Sequence, residues 1–460
     1  MVHKFKAGDI NILLDVNSGG VSVIDDMTYD ILEDLMPPFG KECPKELIDK
    51  YSGKYTEQDV KEVYGEISQM YEDGQLYSKD IYGDFASTAI ESPIKAMCLH
   101  IAHDCNLRCQ YCFASTGDFG TGRKLMPAST GKAAIDFLLK KSVGRENLEV
   151  DFFGGEPLMN FDVVKEIVEY AREKGAERGK KFRFTITTNG VLLDDENIEY
   201  INREMDNVVL SLDGRKEIND KMRGRVDGSG SYERIVPAFK KLVEKRGDRE
   251  YYIRGTYTKY NLDFSEDVMH IHSLGFDQIS VEPVVESPEV DYAITEADLE
   301  KIYREYDKLV EKISQVQKQG GKINFFHFNV DLEQGPCVVK RLRGCGSGNE
   351  YVAVTPDGDI YPCHQFVGHE EYKMGNLEDG TFNEEIKKEF AGTHVYSKPA
   401  CKDCWAKFYC SGGCNANNYI YNGDIHQSHE LSCKIQRKRL ECAILMQVSK
   451  LLDGNGEETV

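Results

Sequence analysis

The 460-residue chain has no run approaching the ~18 consecutive apolar residues that a membrane-spanning helix needs, so it is expected to cross no bilayer. It has no surplus of positive charge either. Lys and Arg number 57 against 78 Asp and Glu, a formal net charge of −21. Such a field repels phosphate backbones and anionic lipid, which argues against nucleic-acid or membrane-surface binding. The opening "MVHKFKAGDI" has no apolar stretch behind its charges and does not read as a secretory signal. No internal repeat and no low-complexity tract is found. Cysteine is scarce, 14 residues, but clustered. A reducing, cytoplasmic setting is expected, where clustered thiols point to metal or redox chemistry rather than disulfides. What is present is 40% apolar residues, enough for several cores. At ~100–200 residues per domain the length suggests two to four domains.

Residues 1–85 read as a small module. "NILLDVNSGGVSVID" sets two apolar-alternating runs around "NSGG", a hairpin pattern. "MTYDILEDLM" and "EQDVKEVYGEISQMYEDG" carry apolar residues at helical spacing. A hairpin with following helices predicts a winged-helix-like shape. "GDFASTAIESP" reads as a polar linker. From residue 94 the pattern changes. "IKAMCLHIA", "LEVDFF", "FRFTITT", "NVVLSLD", "YYIRGTYT" and "QISVEPV" alternate with helical stretches. Six strands separated by helices predict an α/β fold with a parallel sheet, open or closed into a partial (β/α)6 barrel, over 94–300. In both forms functional residues gather just past the strand C-termini. Residues 301–336 open in a long amphipathic helix and are expected to connect the sheet to 337–442. Residues 443–460 are expected to be a tail, frayed at "LDGNGEETV".

The stretch "HDCNLRCQYCF" follows the first of these strands and crowds Cys105, Cys109 and Cys112 together. Three thiols cannot close a four-coordinate zinc site. His103 is near but sits on the strand side. Iron–sulfur clusters are held by thiolates, and an iron left without a cysteine is a reactive corner. Beyond 336 the cysteines return, eight of them from Cys337 to Cys433. That stretch is poor in apolar periodicity, so metal ligation is expected to supply folding free energy there. Cys98, inside the first strand, reads as a small buried hydrophobe, and Cys43 and Cys442 as structural.

Cys-x3-Cys-x-aromatic-Cys after the first strand resembles the signature of radical SAM enzymes. The resemblance implies that Cys105, Cys109 and Cys112 hold a [4Fe–4S] cluster whose open iron binds S-adenosylmethionine (SAM). Reductive cleavage of SAM would then yield a 5′-deoxyadenosyl radical that takes a hydrogen from substrate. Other strand ends fit the family. "GGEP" (Gly154, Gly155, Glu156) would let backbone approach the ligand, with Glu156 or a carbonyl accepting from the SAM ammonium. Thr187 and Asn189 of "TITTNG" would bond methionine or ribose. Ser211 and Asp213 of "SLDG" would take ribose hydroxyls. Arg223 suits the SAM carboxylate, and Tyr111 and Phe113 would pack on adenine.

The series Cys345-x12-Gly358-x4-Cys363, Cys401-x2-Cys404-x5-Cys410-x3-Cys414, then Cys433 resembles the SPASM domain. The resemblance implies two auxiliary [4Fe–4S] clusters, three in all. Cys401, Cys404, Cys410 and Cys433 would hold the outer one; Cys345, Cys363 and Cys414 the inner. Cys337, or a substrate thiol, would complete the inner set. Sulfatase-maturing relatives carry Asp directly after the Gly-x4-Cys cysteine; here His364 stands there, the one candidate catalytic side chain. The whole order resembles the maturases of Cys-rich SCIFF peptides. It implies a precursor peptide bound through its leader on residues 1–85, an electron donor such as ferredoxin or flavodoxin, and a thioether crosslink as product. Another radical SAM/SPASM modifier, such as a Ser/Cys oxidase, a carbon–carbon crosslinker or an epimerase, is the alternative. A non-catalytic iron–sulfur carrier or regulator is a third reading.

Overall fold

A computed structural model describes residues 1–87, 92–332 and 337–454. Parts of the expected linker (88–91), connector (333–336) and tail (455–460) lie outside the described residues. The strands are β1 Val2–Ala7, β2 Ile10–Asp15, β3 Val21–Ile24, β4 Ala96–His103, β5 Lys124–Leu125, β6 Asn147–Gly154, β7 Lys181–Thr188 and β8 Asn207–Ser211. They continue with β9 Tyr251–Tyr257, β10 Gln278–Pro283, β11 Asn324–Phe325, β12 Tyr351–Val354, β13 Asp359–Tyr361, β14 Gly375–Asn376 and β15 Thr381–Phe382.

The first three form an antiparallel sheet in the order β1-β2-β3. The expected hairpin is β2–β3; β1 is an addition to it, paired with β2 along its full length from Val2 opposite Asp15. Three helices follow, Asp26–Ile31, Lys45–Tyr51 and Glu57–Glu72. Asp25 and Thr56 cap the first and last with side-chain oxygens. These helices bury Ile31, Val60, Val63 and Ile67 beneath the sheet.

The six expected strands are β4 and β6–β10, and they pair in parallel in chain order. Alternation in the sequence sets which face is which. In β6, Leu148, Val150 and Phe152 are fully buried, while Asp151 and Phe153 are half-buried on the opposite face. Helices Ala128–Lys141, Phe161–Glu177, Asp195–Glu204 and Tyr232–Arg246 supply further buried apolar side chains to the same core. Each large apolar side chain so buried contributes ~1.5–3 kcal/mol.

Two regions differ from expectation. The presumed connector carries Leu299–Lys318, whose Ile302, Tyr306, Leu309 and Ile313 are core residues, and β11, which extends the sheet beside β10. The presumed tail belongs to a 25-residue helix, Glu430–Gly454, that buries Ala443, Ile444, Met446 and Val448. An amphipathic helix is drawn into a core whenever another apolar face is at hand. Here Leu299–Lys318 and β1 both pack against Glu430–Gly454. On the other edge, β12 pairs in parallel with β4 and leads through β13–β15, so one sheet runs through both halves of the chain.

Candidate functional site

Cys105, Cys109 and Cys112 lie in the loop leaving the C-terminal end of β4. The loop is tied to the segment after helix Lys216–Met222: Arg108 N–H donates to Gly224 O (2.8 Å) and Gln110 N–H to Met222 O (3.0 Å). The Arg108 guanidinium folds back on the Cys105 and Leu107 carbonyls, both at 2.6 Å. Burial pushes the Cys105 thiol up to about 12 and Cys109 up to about 11; neighbouring Cys112 adds to both. Such thiols ionise only when a cation offsets the cost. His103 is turned away. It is 1% exposed and bonded to His100 (3.0 Å) and Thr121 (2.8 Å).

The "GGEP" turn lies against the start of this loop. A Cβ on Gly154 (φ +121°) would meet Ala102 O at 2.3 Å, and one on Gly155 would meet Asp104 O at 2.1 Å. Only glycine permits that approach. Glu156 departs from expectation: it is wholly buried and saturated. It accepts from Leu158 N–H (3.0 Å), Thr188 Oγ1 (2.7 Å) and Asn189 N–H (2.8 Å), and burial raises its carboxyl to about 7. Its side chain ties the end of β6 to the end of β7, and its backbone carbonyl accepts from Met159 N–H (3.1 Å). Thr188 rather than Thr187 makes this bond, because alternate residues of a strand face opposite sides. Thr187 is half-buried on the other face, as is Ser211 in β8. The Asn189 amide donates to Cys105 Sγ (3.6 Å) and to Asn106 Oδ1 (2.8 Å).

Asp213 is also a hub rather than an exposed acceptor. It is fully buried; Oδ1 accepts from Arg223 Nε and Thr256 N–H, both at 2.9 Å, and Oδ2 from the Tyr111 hydroxyl at 2.6 Å. Tyr111 is thereby fixed, with the Arg223 guanidinium over its ring, 5.5 Å from the centroid. Burial pulls the Arg223 guanidinium down, but Asp213, with Tyr111 and Cys109 adding to it, more than reverses this and keeps it charged. Among the described residues its two terminal nitrogens make no hydrogen bond, so they remain available to a carboxylate. Phe113 is 51% exposed, with Phe153 stacked 6.3 Å away and His364 at 5.4 Å.

The later cysteines form two groups. Beyond the effect of burial, Cys363 is raised by Cys414 and Cys345. Cys410 is raised by Cys401 and Cys404, and Cys433, up to about 12, by Cys410 and Cys401. Cys337 is exposed at the start of helix Val338–Arg343. Among the described residues no three His, Cys, Asp or Glu side chains converge on a single metal ion. Cysteine sulfur is the soft donor type that iron–sulfur clusters take.

Residues 99–282 match the radical SAM superfamily, and residues 345–405 match the iron–sulfur cluster-binding domain SPASM. The chain carries a radical SAM domain and a SPASM domain. The cysteine-type anaerobic sulfatase-maturating enzyme of Clostridium novyi (strain NT) is 26% identical over 337 residues, covering 68% of this chain and 86% of that protein. The antilisterial bacteriocin subtilosin biosynthesis protein AlbA of Bacillus subtilis (strain 168) is 22% identical over 451 residues, covering 91% and 92%. A solved structure described as native anSMEcpe with bound AdoMet and Kp18Cys peptide superposes with a TM-score of 0.64 at 20% identity, covering 78% of this chain and 99% of that one. That likeness shows a shared fold.

Between the end of the radical SAM sheet and the SPASM loops lies a cavity of about 370 Å³, lined by Glu282 and Arg439 and by Cys345, Cys410, Cys414 and Cys433. Glu282 is held by Arg254 at 3.2 Å and faces His327 at 3.6 Å. Burial first, then Arg439, pulls His327 down to about 3, so its imidazole is neutral. His364 is likewise pulled to about 4 by burial, with Arg254 adding to this, so its imidazole is uncharged at neutral pH. Arg254, Glu282, His327 and Arg439 were not anticipated. The signal was present in part: Arg254 and Glu282 are lone charges inside otherwise apolar strands, where a charge needs a partner.

Proposed function

We propose that this protein is a radical SAM peptide maturase that installs a thioether between a cysteine sulfur and a carbon of a ribosomally made precursor peptide. In this reading the sheet of residues 94–300 is a partial (β/α)6 barrel, and residues 1–85 are a winged-helix-like domain that recognises the peptide leader. The relatives named for sulfatase maturation and subtilosin biosynthesis support a peptide or protein substrate. Cys105, Cys109 and Cys112 would hold a [4Fe–4S] cluster; Cys401, Cys404, Cys410 and Cys433 a second; Cys345, Cys363 and Cys414 a third. With SAM bound, the first cluster would supply one-electron chemistry for reductive cleavage of SAM, whose adenosyl carbon would then remove a substrate hydrogen.

The chain's own residues do the rest. The terminal nitrogens of Arg223, braced by Asp213 and Tyr111, would take the SAM carboxylate as a fork. The carbonyls of the Gly154–Glu156 turn would accept from its ammonium. Asn189, Thr187 and Ser211 would bond its polar edge, and Phe113 would lie against adenine. The observation that carries the thioether reading is the three-thiol inner set: Cys345, Cys363 and Cys414 act on one another beside the cavity, and Cys337 stands exposed. A substrate cysteine entering the cavity would take the remaining ligand position as its thiolate. We place the reaction in the reducing cytoplasm, with a ferredoxin or flavodoxin as electron donor.

The test is anaerobic reconstitution followed by incubation with dithionite, SAM and a Cys-rich peptide. Formation of 5′-deoxyadenosine with loss of two hydrogens and one thiol blocked from alkylation supports the thioether. Loss of two hydrogens with every thiol alkylatable favours oxidation or carbon–carbon crosslinking instead. No 5′-deoxyadenosine under any of these conditions would overturn the enzymatic reading.

A further inference from the structure

Lys398 is buried between the two auxiliary thiol groups without an acidic partner. Its residue is 2% exposed. Nζ donates to Gly412 O at 2.8 Å and to Asn415 Oδ1 at 2.7 Å. Gly412 sits between Cys410 and Cys414, and Asn415 follows Cys414. The ammonium is therefore bonded to the short segment that carries one thiol of each group. A Cβ on Gly412 (φ +87°) would lie 3.3 Å from Lys398 Cδ, so this segment is wrapped closely around the lysine stem.

Burial pulls the Lys398 ammonium below its ordinary value, and Cys401 and Cys410 of the outer group and Cys414 and Cys345 of the inner oppose this; His394 is a further ionisable neighbour. Among the described residues it makes no ion pair. Lys407, comparably buried at 4%, pairs with Asp80 at 3.0 Å. An ammonium taken out of water without a counter-charge is costly. The thiolates of both groups are what remains to offset it.

We propose that Lys398 is a shared counter-ion of the two auxiliary sites, a fixed positive charge that raises the reduction potential of both. This rests on the assignment of those cysteines to two clusters. A cluster becomes more negative on reduction, so a cation in a low-dielectric interior favours the reduced form. One lysine flanked by both sites moves both couples in the same direction. Lys398 is a positioning and tuning residue; it need touch neither substrate nor SAM. A lysine that merely held the 410–415 segment would leave the potentials unmoved once that segment had folded.

The experiment uses full-length protein with Cys105, Cys109 and Cys112 changed to alanine, so that only auxiliary clusters are read. Potentials are measured by EPR-monitored redox titration after anaerobic reconstitution, with iron counted in each sample. Lys398→Met removes the charge and keeps the stem; Lys398→Gln keeps a donor; Lys398→Arg keeps the charge. Both neutral variants should lower both couples by at least tenfold in the reduction equilibrium, about 59 mV per tenfold for one electron. Lys398→Arg should stay within threefold of the reference. Loss of auxiliary iron in both neutral variants with retention in Lys398→Arg also supports the proposal, since assembly then needs the charge. Unmoved potentials, a shift in one couple alone, or iron loss in all three variants overturns it. A reference protein that assembles no auxiliary cluster overturns the cluster assignment itself, and the proposal with it.

Discussion

The radical SAM domain and the SPASM domain hold their cysteines in opposite ways. Cys105, Cys109 and Cys112 sit on one loop clamped between finished elements: β4 behind it, the Gly154–Glu156 turn beside it and the 222–225 segment in front. That scaffold is a sheet whose apolar face is buried by helices. The auxiliary cysteines are spread from Cys345 to Cys433 over helices as short as Pro399–Lys402 and Lys407–Cys410. Their surroundings do add core, Phe366, Phe390, Val395, Phe408 and Ile425 among them, but from short strands, helical turns and loops. The first triplet is held by a finished scaffold; the second set is expected to gain stability from ligation.

Removing iron should break this contrast most visibly. In apo protein, hydrogen exchange is expected to be fast across 398–433 and to stay slow in β4 and β6–β10. Equal protection in both regions would erase the distinction. Next in size is Asp213→Ala. It strips the buried Arg223 of its partner and the Tyr111 hydroxyl of its acceptor, at an expected ~3–5 kcal/mol in denaturant unfolding of the apo protein. A loss under ~1 kcal/mol would mean that the first triplet is not held by a finished scaffold.

The Glu156 carboxyl gives a smaller, pH-dependent effect. Its folded value of about 7 exceeds the ordinary 4.5, so between these values the native state binds more protons than the unfolded one. Its contribution to stability is then lost as pH rises from 4.5 to 7 and levels off above, a total of roughly 3 kcal/mol. Glu156→Gln should remove that slope from the difference between variant and parent; an unchanged slope contradicts it. The smallest effect is Glu384→Ala, which cuts the exposed Lys141–Glu384 pair (2.7 Å) bridging the two regions. No more than ~1 kcal/mol is expected, read as a shift in denaturation midpoint.

Much of this was legible in the chain. The alternation of six apolar runs with amphipathic helices was enough to predict β4 and β6–β10, because a βαβ unit needs both elements at short range. The three groups of thiols were expected from spacing and family resemblance. The roles of Glu156 and Asp213 were not legible. A carboxylate at a strand end reads as a ligand for substrate, and only the folded chain reveals that Thr188, Asn189, Thr256 and Tyr111 already occupy its oxygens. β1 and the Glu430–Gly454 helix were missed for a related reason: a weakly apolar run becomes an element when a distant partner buries it.

Sequence alone determined the kinds of donor, their order and their local spacing, since these need only covalent neighbours and the periodicity of strands and helices. Tertiary structure decided which donors face one another, which carboxylates are spent on scaffolding, and that a single lysine lies between two groups of thiols. Those outcomes depend on contacts between segments tens or hundreds of residues apart, where burial rather than local pattern sets charge and hydrogen bonding.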